Sequence, residues 1–184
     1  MKKKPSAGDN AGLHRVIVTR AIGELPHRGR LFAGGVMFRC ALGRAGLSRA
    51  KREGDGGTPI GAFRILSLLH RPSKLCRAGL RLPTRELRPS DLWCDDPRSF
   101  LYNRHLRGPS RFCCEKLWRN NAIYDVVGVL NYNVRPTQRG RGSAIFFHIA
   151  TEDLGPTEGC VALSAADMAR LLRRLARRVK LVVG

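Results

Sequence analysis

One cysteine and one histidine near the end of the sequence have the types and spacing that acyl transfer requires. His148 lies at the end of the apolar run 144–149, and Cys160 follows twelve residues later, where the apolar run 161–163 begins. A thiol becomes a strong nucleophile when a base removes its proton, and the pKa of histidine lies near neutral pH. We therefore predict that Cys160 is the nucleophile and that His148 is its general base, within reach of a hydrogen bond.

The residues around Cys160 form a tight turn that can support this chemistry. Because Gly159 has no side chain, the backbone can approach a substrate closely, and its N–H and that of Cys160 are predicted to stabilise an oxyanion. Glu158 places a carboxylate beside the thiol, which by itself raises the pKa of that thiol. Nearby arginines can offset this charge, or Glu158 can bind the ammonium group of an acceptor amine, and we favour the acceptor role.

Other polar residues near this turn are weaker candidates for substrate binding. Thr157 opens the turn, and Arg139 and Arg141 lie just before the strand that carries His148. An arginine can bind a carboxylate through two parallel hydrogen bonds, although solvated loop charges explain these two arginines equally well. Asn133 stands at a strand end and is a candidate to line a cleft.

Two motifs of the sequence resemble the active-site region of the YkuD-type L,D-transpeptidases. The first is a histidine at a strand end followed by Ser/Thr-x-Gly-Cys, here His148 and Thr157 to Cys160. The second is the family's K-x-x-G-D-x-x-T-P-x-G-x-F run, here Lys51 to Phe63. The two matches occur in the family's order, and the resemblance covers roughly residues 15–184. We interpret the second run as a structural loop and assign Asp55 no part in catalysis.

The resemblance implies a fold and a reaction. It implies a mostly β fold with one or two helices, namely a YkuD-like β-sandwich of two mixed sheets. It also implies a peptidoglycan L,D-transpeptidase that forms a thioester with a donor stem peptide and passes the acyl group to an acceptor amine. Murein stem peptides are then the partners, no metal or other cofactor is required, and the expected location is the cell envelope or periplasm.

The sequence also departs from the family's pattern. Glu158 and Ala162 stand where the family commonly has a second histidine and an arginine or asparagine, and the spacer between His148 and Cys160 is short. This version resembles short proteobacterial members, some of which join L-alanine to diaminopimelate. An L,D-carboxypeptidase that uses the same Cys–His pair is the nearest alternative, because only the choice of water or amine separates the two reactions.

Hydrophobic patterning predicts the elements that position these residues. Short strands are expected at 15–19, 36–42, 62–66, 123–130, 144–149 and 161–163, with long loops and short elements over about 70–120. Ser164 is a predicted helix cap, and apolar residues at helical spacing predict an amphipathic helix that continues to Val179. A terminal strand, 180–183, follows. Residues 1–12 are predicted to be a disordered basic arm, and residues 13–184 a single catalytic domain.

Composition limits the remaining function classes. The chain has 184 residues, with 34 Lys and Arg against 14 Asp and Glu, a net charge of +20. Such a charge attracts polyanions, so a nucleic-acid-binding protein is the alternative of another class. No binding motif supports it, and we do not expect nucleic acid as a physiological partner. The six cysteines contain no C-x-x-C pair for zinc. No transmembrane segment and no signal peptide are predicted.

Overall fold

The structure is a computed structural model and describes residues 12–184. Apart from Gly12, the predicted basic arm lies outside the described residues. The described chain forms one α-helix, α1 (Ala165–Leu172), one 3₁₀ helix (Ala122–Tyr124) and fourteen strands. The strands are β1 (Leu13–Arg20), β2 (Arg28–Ala33), β3 (Val36–Ala41), β4 (Leu47–Ser48), β5 (Thr58–Pro59), β6 (Gly61–His70), β7 (Thr84–Glu86), β8 (Asp91–Cys94), β9 (His105–Arg107), β10 (Cys114–Lys116), β11 (Val126–Leu130), β12 (Phe146–Ile149), β13 (Val161–Leu163) and β14 (Leu175–Val183).

Eight strands form a closed, barrel-like sheet. Their order is β11-β12-β13-β3-β2-β1-β14-β6, and hydrogen bonds between β6 and β11 close the ring. The mostly β fold is confirmed, but the predicted sandwich of two sheets is wrong. The reason is the length of β6, whose residues 61–64 pair with β14 while residues 65–70 pair with β11. One strand thus joins what would otherwise be two sheet edges.

The main hydrophobic core fills the inside of this barrel. Successive residues of a strand point to opposite faces, so Val16 and Val18 of β1 are buried inside while Ile17 between them is exposed. Helix α1 contributes Met168 and Leu171 to the same core. The barrel is therefore a filled scaffold rather than a channel.

A second hydrophobic cluster lies on the outer face of β11 and β12. Phe147 and Ile149 of β12 belong to the main core, whereas Phe146 packs in the second cluster with Val127, Trp93 and Cys160. The cover over this face is the chain between β6 and β11, in which β8, β9 and β10 form a separate three-stranded sheet. The long loops with short elements predicted for this segment cover one wall of the barrel.

A buried carboxylate holds the three-stranded sheet together. Asp91 is fully buried and accepts hydrogen bonds from the Arg88 N–H at 2.9 Å and from Arg107 Nε at 3.3 Å. Its Oδ1 also lies 3.0 Å from His105 Nε2, and Arg85 Nη1 lies 3.4 Å from its Oδ2. A buried charge is tolerated when it is paired and hydrogen-bonded in this way.

The C-terminal helix is shorter than predicted. Its cap is confirmed, because Ser164 Oγ accepts a hydrogen bond from the Asp167 N–H at 3.2 Å. The helix ends at Leu172, however, and Leu175 and Val179 are buried as part of strand β14. A spacing of four residues fits one face of a helix and also one face of a strand. The strand is favoured because β14 pairs with β1 on one side and with β6 on the other.

Candidate functional site

The Cys160 thiol lies at the start of β13 and is held by main-chain groups of the neighbouring segment. Its Sγ accepts a hydrogen bond from the Phe146 N–H at 3.2 Å and lies 3.3 Å from the Ala144 carbonyl oxygen, to which the thiol donates. The hydrogen bonds of the thiol and of the imidazole go to main-chain groups, and the predicted reach between Cys160 and His148 stays a prediction. The thiol is instead directed toward the backbone just before β12.

The backbone at Ala144 has an unusual conformation. Ala144 has a φ of 52°, in the left-handed region that residues other than glycine rarely adopt. Its N–H donates to Asn103 Oδ1 at 3.1 Å, and Asn103 Nδ2 donates to the carbonyls of Asn133 at 2.7 Å and Tyr132 at 3.2 Å. Trp93 Nε1 also donates to Asn103 Oδ1, at 2.8 Å. The buried side-chain amide of Asn103 therefore joins the covering segment to the loop before β12. It also fixes the Ala144 carbonyl, which faces the thiol.

His148 is oriented by the backbone of the next residue. Its Nδ1 lies 2.8 Å from the Ile149 carbonyl oxygen, in the buried outer face of β12. A carbonyl oxygen can only accept a hydrogen bond, so Nδ1 carries the proton and Nε2 of the neutral ring carries none. The imidazole is thus set in the tautomer that can accept a proton at Nε2.

Burial keeps both groups neutral. It lowers the pKa of His148 to about 4, with the Ile149 carbonyl opposing this and the Arg119 charge adding to it. It raises the pKa of Cys160 to about 12, while the Phe146 N–H lowers this pKa and the Glu115 charge raises it further. Near neutral pH the two groups are therefore a thiol and a neutral imidazole.

A cavity of about 360 Å³ opens between the barrel wall and its cover, and Cys160 and His148 both line it. Tyr124 packs edge-on against His148, with ring centroids 5.2 Å apart, and Phe146 packs edge-on against Trp93 at 5.1 Å. Thr157 and Glu158 also line this cavity, so the structure brings four of the predicted site residues together.

The turn before Cys160 packs against the Lys51–Phe63 run. Thr58 Oγ1 accepts from the Gly43 N–H at 2.8 Å and donates to the Cys160 carbonyl at 3.3 Å. Gly159 has a φ of 127°, and a Cβ at this position would lie 2.7 Å from the Gly57 carbonyl oxygen. These contacts make this run a support for the nucleophile turn.

Hydrogen bonds inside that run support the same interpretation. Asp55 accepts from Lys51 Nζ at 2.5 Å and from the backbone N–H groups of Arg52 and Gly57, each at 2.8 Å. Its carboxylate therefore shapes the loop, in agreement with the structural interpretation of this run.

The other predicted residues have local partners in the structure. Thr157 Oγ1 donates to the Cys160 carbonyl at 2.8 Å and accepts from the Gly159 N–H at 3.2 Å, so this N–H already has a partner. Glu158 forms an ion pair with Arg44, and both side chains are exposed. The oxyanion role of Gly159 and the acceptor role of Glu158 stay predictions.

Three predicted residues do not line the cavity of Cys160. Asn133 and Arg141 line a separate shallow depression, and Arg139 is exposed on the same loop. The Asn133 amide donates to the carbonyls of Gln138 at 2.9 Å and Gly142 at 2.8 Å, so it shapes this loop. Their role in substrate binding stays a prediction.

Several residues of the cavity were not predicted from the sequence. Glu53, Asp95, Glu115, Arg119 and Tyr124 all line it. Glu115 forms an ion pair with Arg119, whereas Glu53 accepts hydrogen bonds from Tyr102 and Ser143. Four of the five lie in the region between β6 and β11, which has no recognisable motif, so no sequence signal pointed to them.

Fold and site together define a closed β-barrel with a cysteine and a histidine in one cavity on its outer wall. The chain belongs to the YkuD family, since the family model "L,D-transpeptidase catalytic domain" matches residues 22–183. Members of this family are cysteine-dependent L,D-transpeptidases that act on peptidoglycan stem peptides. The family predicted from the sequence is thus confirmed. No curated protein matches the chain.

Two solved structures resemble the chain at low sequence identity. Bd1075 from Bdellovibrio bacteriovorus has 13% identity and a TM-score of 0.44, and the match covers 94% of this chain and 48% of that one. The helical cell shape determining protein Pgp2 from Campylobacter jejuni has 15% identity and a TM-score of 0.39, with 95% and 48% covered. The chain thus spans about half the length of either protein.

Over residues 12–184 no helix has the length and apolar character needed to cross a membrane. Within the same range, no group of three or more His, Cys, Asp or Glu side chains is placed to hold a metal ion.

Proposed function

We propose that this protein is a peptidoglycan L,D-transpeptidase that uses Cys160 as nucleophile and His148 as general base. The observation that carries the proposal is the shared cavity, in which the Ile149 carbonyl accepts a hydrogen bond from Nδ1 of His148 and so leaves Nε2 of the neutral ring unprotonated. Membership of a family that acts on the cell wall supports this substrate class and a location in the cell envelope.

The reaction begins with a neutral pair. The thiol must leave the Ala144 carbonyl and give its proton to Nε2 of His148 as Sγ attacks the amide carbon of a donor stem peptide. The imidazolium then protonates the leaving amine, and a thioester to Cys160 remains. In the second half-reaction the nitrogen of the acceptor amine attacks the thioester carbon while His148 accepts a proton from it. A C–N amide bond forms, the C–S bond breaks, and the departing thiolate takes the proton from the imidazolium, which restores the neutral pair. The Phe146 N–H, which already reaches Sγ, stabilises the thiolate as it forms.

The charges of the cavity support an amine as the acyl acceptor. Glu53, Asp95, Glu115 and Glu158 line it together with one cation, Arg119. In a chain with a net charge of +20, this local excess of carboxylates favours a ligand that carries an ammonium group. We include in this proposal transfer to the amine of diaminopimelate, with the L-alanine donor that the resemblance to short proteobacterial members implies, and hydrolysis is the competing outcome.

The test is product analysis with purified protein and defined disaccharide-tetrapeptides. We expect cross-linked dimers in the mass spectrum, and fragmentation identifies the two residues that are joined. Replacing the nucleophile in Cys160→Ala should abolish product formation while the thermal melt still shows a folded protein. The matched control is Cys76→Ala, which removes an exposed thiol that does not line the cavity and should keep near-normal turnover.

Two outcomes contradict parts of this proposal. Unchanged product formation by a folded Cys160→Ala variant would falsify the assignment of the nucleophile. Shortened monomers without dimers, formed by the wild-type protein at saturating acceptor, would assign the protein as an L,D-carboxypeptidase that uses the same pair.

A further inference from the structure

The barrel has a second distinctive surface, on the wall away from the cavity. Residues that pair directly across neighbouring strands lie on the same face of a sheet. Ile17 on β1 pairs with Phe32 on β2, and Phe32 pairs with Met37 on β3. In the other direction Ile17 pairs with Val182 on β14. Val182 in turn pairs with Ala62 on β6. These five residues form one continuous line across five strands, which we call the apolar row.

The apolar row points to solvent. Ile17 is 37% exposed, Phe32 41% and Met37 50%, because their strand neighbours fill the barrel interior. Of the seven large hydrophobic residues that are exposed in the described chain, six lie on this wall or in the β1–β2 turn; they are Ile17, Ile22, Leu25, Phe32, Met37 and Leu66. A contiguous apolar surface of this kind marks an interaction site more often than scattered exposed residues do.

Cations flank the apolar row on both sides. On one side Arg15 pairs with Lys180, and Lys180 pairs with Arg64. On the other side Arg30 pairs with Arg39. The five strands contain no Asp or Glu. Among residues 12–184, the one ion pair formed by these five cations joins Arg30 to Glu24 in the β1–β2 turn, at 3.7 Å.

This combination selects among anionic partners. We propose that the wall of β6, β14, β1, β2 and β3 binds the surface of an anionic phospholipid bilayer, with the apolar row at the level of the acyl boundary and the cations on the headgroup phosphates. Cationic side chains around an apolar face are the pattern of proteins that bind such surfaces. A soluble polyanion would pair with the cations but would leave the apolar row in water.

A second copy of the chain is a poorer occupant. Two such walls placed face to face would bring like-charged rows together, and juxtaposed like charges oppose association. An anionic bilayer instead neutralises cations on β1 and its neighbouring strands while it removes the centre of the apolar row from water.

The position of the cavity fits this orientation. Going round the ring, β13, β3 and β2 separate β12 from β1, while β6 and β14 separate β11 from β1. The cavity of Cys160, on the outer face of β11 and β12, therefore lies across the barrel from β1 at the centre of the apolar row, although the end of the row on β6 is next to β11. A protein bound through this wall keeps its cavity open on the side away from the bilayer.

Vesicle co-sedimentation of the full chain tests this proposal. We expect binding to vesicles of phosphatidylglycerol and phosphatidylcholine, and much weaker binding to phosphatidylcholine alone. Arg15→Gln with Arg64→Gln should weaken binding roughly 25-fold, because each cation near an anionic surface contributes about 5-fold. Phe32→Ser with Met37→Ser should weaken it about 10-fold or more, through loss of buried apolar area.

Matched controls distinguish binding through this wall from nonspecific hydrophobic or electrostatic binding elsewhere on the protein surface. Phe100→Ser removes an equally large exposed aromatic from the covering segment, and Arg52→Gln with Arg111→Gln removes two exposed charges from elsewhere. We expect less than twofold change for Phe100→Ser, and a smaller loss for the charge control than for Arg15→Gln with Arg64→Gln. All positions are at the surface, and thermal melts verify that each variant is folded.

Three results would overturn the proposal. The first is equal binding to neutral and anionic vesicles, or equal losses in the wall variants and their controls. The second is vesicle binding that stays unchanged in Phe32→Ser with Met37→Ser while duplex DNA competes for it. This pair of results would assign the wall to binding of polyanions in general. The third is a wild-type dimer in sedimentation velocity that these substitutions convert to a monomer, which would assign the apolar row to self-association.

Discussion

The candidate nucleophile and base start from an uncharged state. With the pKa of Cys160 raised to about 12 and that of His148 lowered to about 4, both by burial, a thiolate–imidazolium pair is disfavoured without substrate. Proton transfer therefore has to accompany attack on the substrate, and it depends on the fixed tautomer of His148 more than on a preformed thiolate. A neutral thiol also protects the protein from alkylation and oxidation while it is idle.

The buried imidazole makes stability depend on pH. In the unfolded chain the pKa of His148 returns to about 6.5, whereas in the folded protein it is about 4. The unfolded state therefore binds a proton first as the pH falls, and the free energy of unfolding decreases between pH 6.5 and 4. The full loss is about 3 kcal/mol. Denaturant titrations at several pH values measure it.

The control for this prediction is His148→Gln, which cannot be protonated. We expect the difference in stability between the two proteins to shrink as the pH falls from 6.5 to 5, before most carboxylates titrate. A difference that stays constant over that range would show that His148 is not the responsible group.

The charge of Glu115 also acts on the nucleophile. This carboxylate raises the pKa of the Cys160 thiol, and its removal in Glu115→Gln leaves Arg119 without its ion-pair partner. Both changes favour the thiolate, so alkylation by iodoacetamide at pH 8 should become roughly 3- to 10-fold faster. Glu158→Gln is the matched control, because Glu158 is exposed and paired with Arg44. Equal acceleration in both variants would contradict the assignment.

At the scale of elements, the sequence predicted the parts with strong patterns. The strands that carry His148 and follow Cys160, and the cap at Ser164, are at or near the predicted positions because alternation and capping are local signals. The predicted end of the helix was wrong because the four-residue spacing of Leu175 and Val179 fits one face of a helix and also one face of a strand. Closure of the barrel depends on pairing between β6 and β11, which are far apart in sequence and which no local pattern specifies.

In the candidate site, too, some features could be predicted from the sequence and others could not. Cys160 and His148 have chemistry that their types reveal, whereas the Ile149 and Ala144 carbonyls act through the backbone, which side-chain type does not encode. Asp95 and Glu115 reach the cavity through the three-stranded sheet, whose position depends on tertiary packing.

Among the residues that connect elements, Asn103 is the one whose replacement we expect to reduce stability and turnover most. Asn103→Ala leaves the Trp93 indole N–H, the Ala144 N–H and two carbonyls without their partner. We expect a loss of about 2–4 kcal/mol in the free energy of unfolding. Turnover measured where the variant is still folded should also fall, because the Ala144 carbonyl loses its support. Asn120→Ala, at an exposed position, should change stability by less than about 0.5 kcal/mol.

This prediction separates positioning from simple stability. Normal turnover in a destabilised Asn103→Ala variant would show that the amide only stabilises the fold. Unchanged stability would show that solvent replaces its hydrogen bonds, which contradicts its buried position.

At the scale of the whole molecule, the barrel separates two surfaces of different character. Carboxylates gather in the cavity on the wall of β11 and β12, while the wall around β1 carries cations and the apolar row. A net charge of +20 therefore does not describe the cavity, whose lining has the opposite balance. The long-range attraction of the molecule and the local selectivity of its cavity follow from different groups of residues.

The place of β14 has a consequence for how the chain folds. This strand lies between β1, the first strand of the described chain, and β6, and pairs with both. Until residues 175–183 have been synthesised, β1 and β6 each keep an open edge, and the ring cannot close. Such long-range pairing slows folding, and open strand edges are sites of aggregation. Barrel closure is therefore a late event, and a nascent chain with β1 and β6 already made remains a substrate for chaperones until the strand between them arrives.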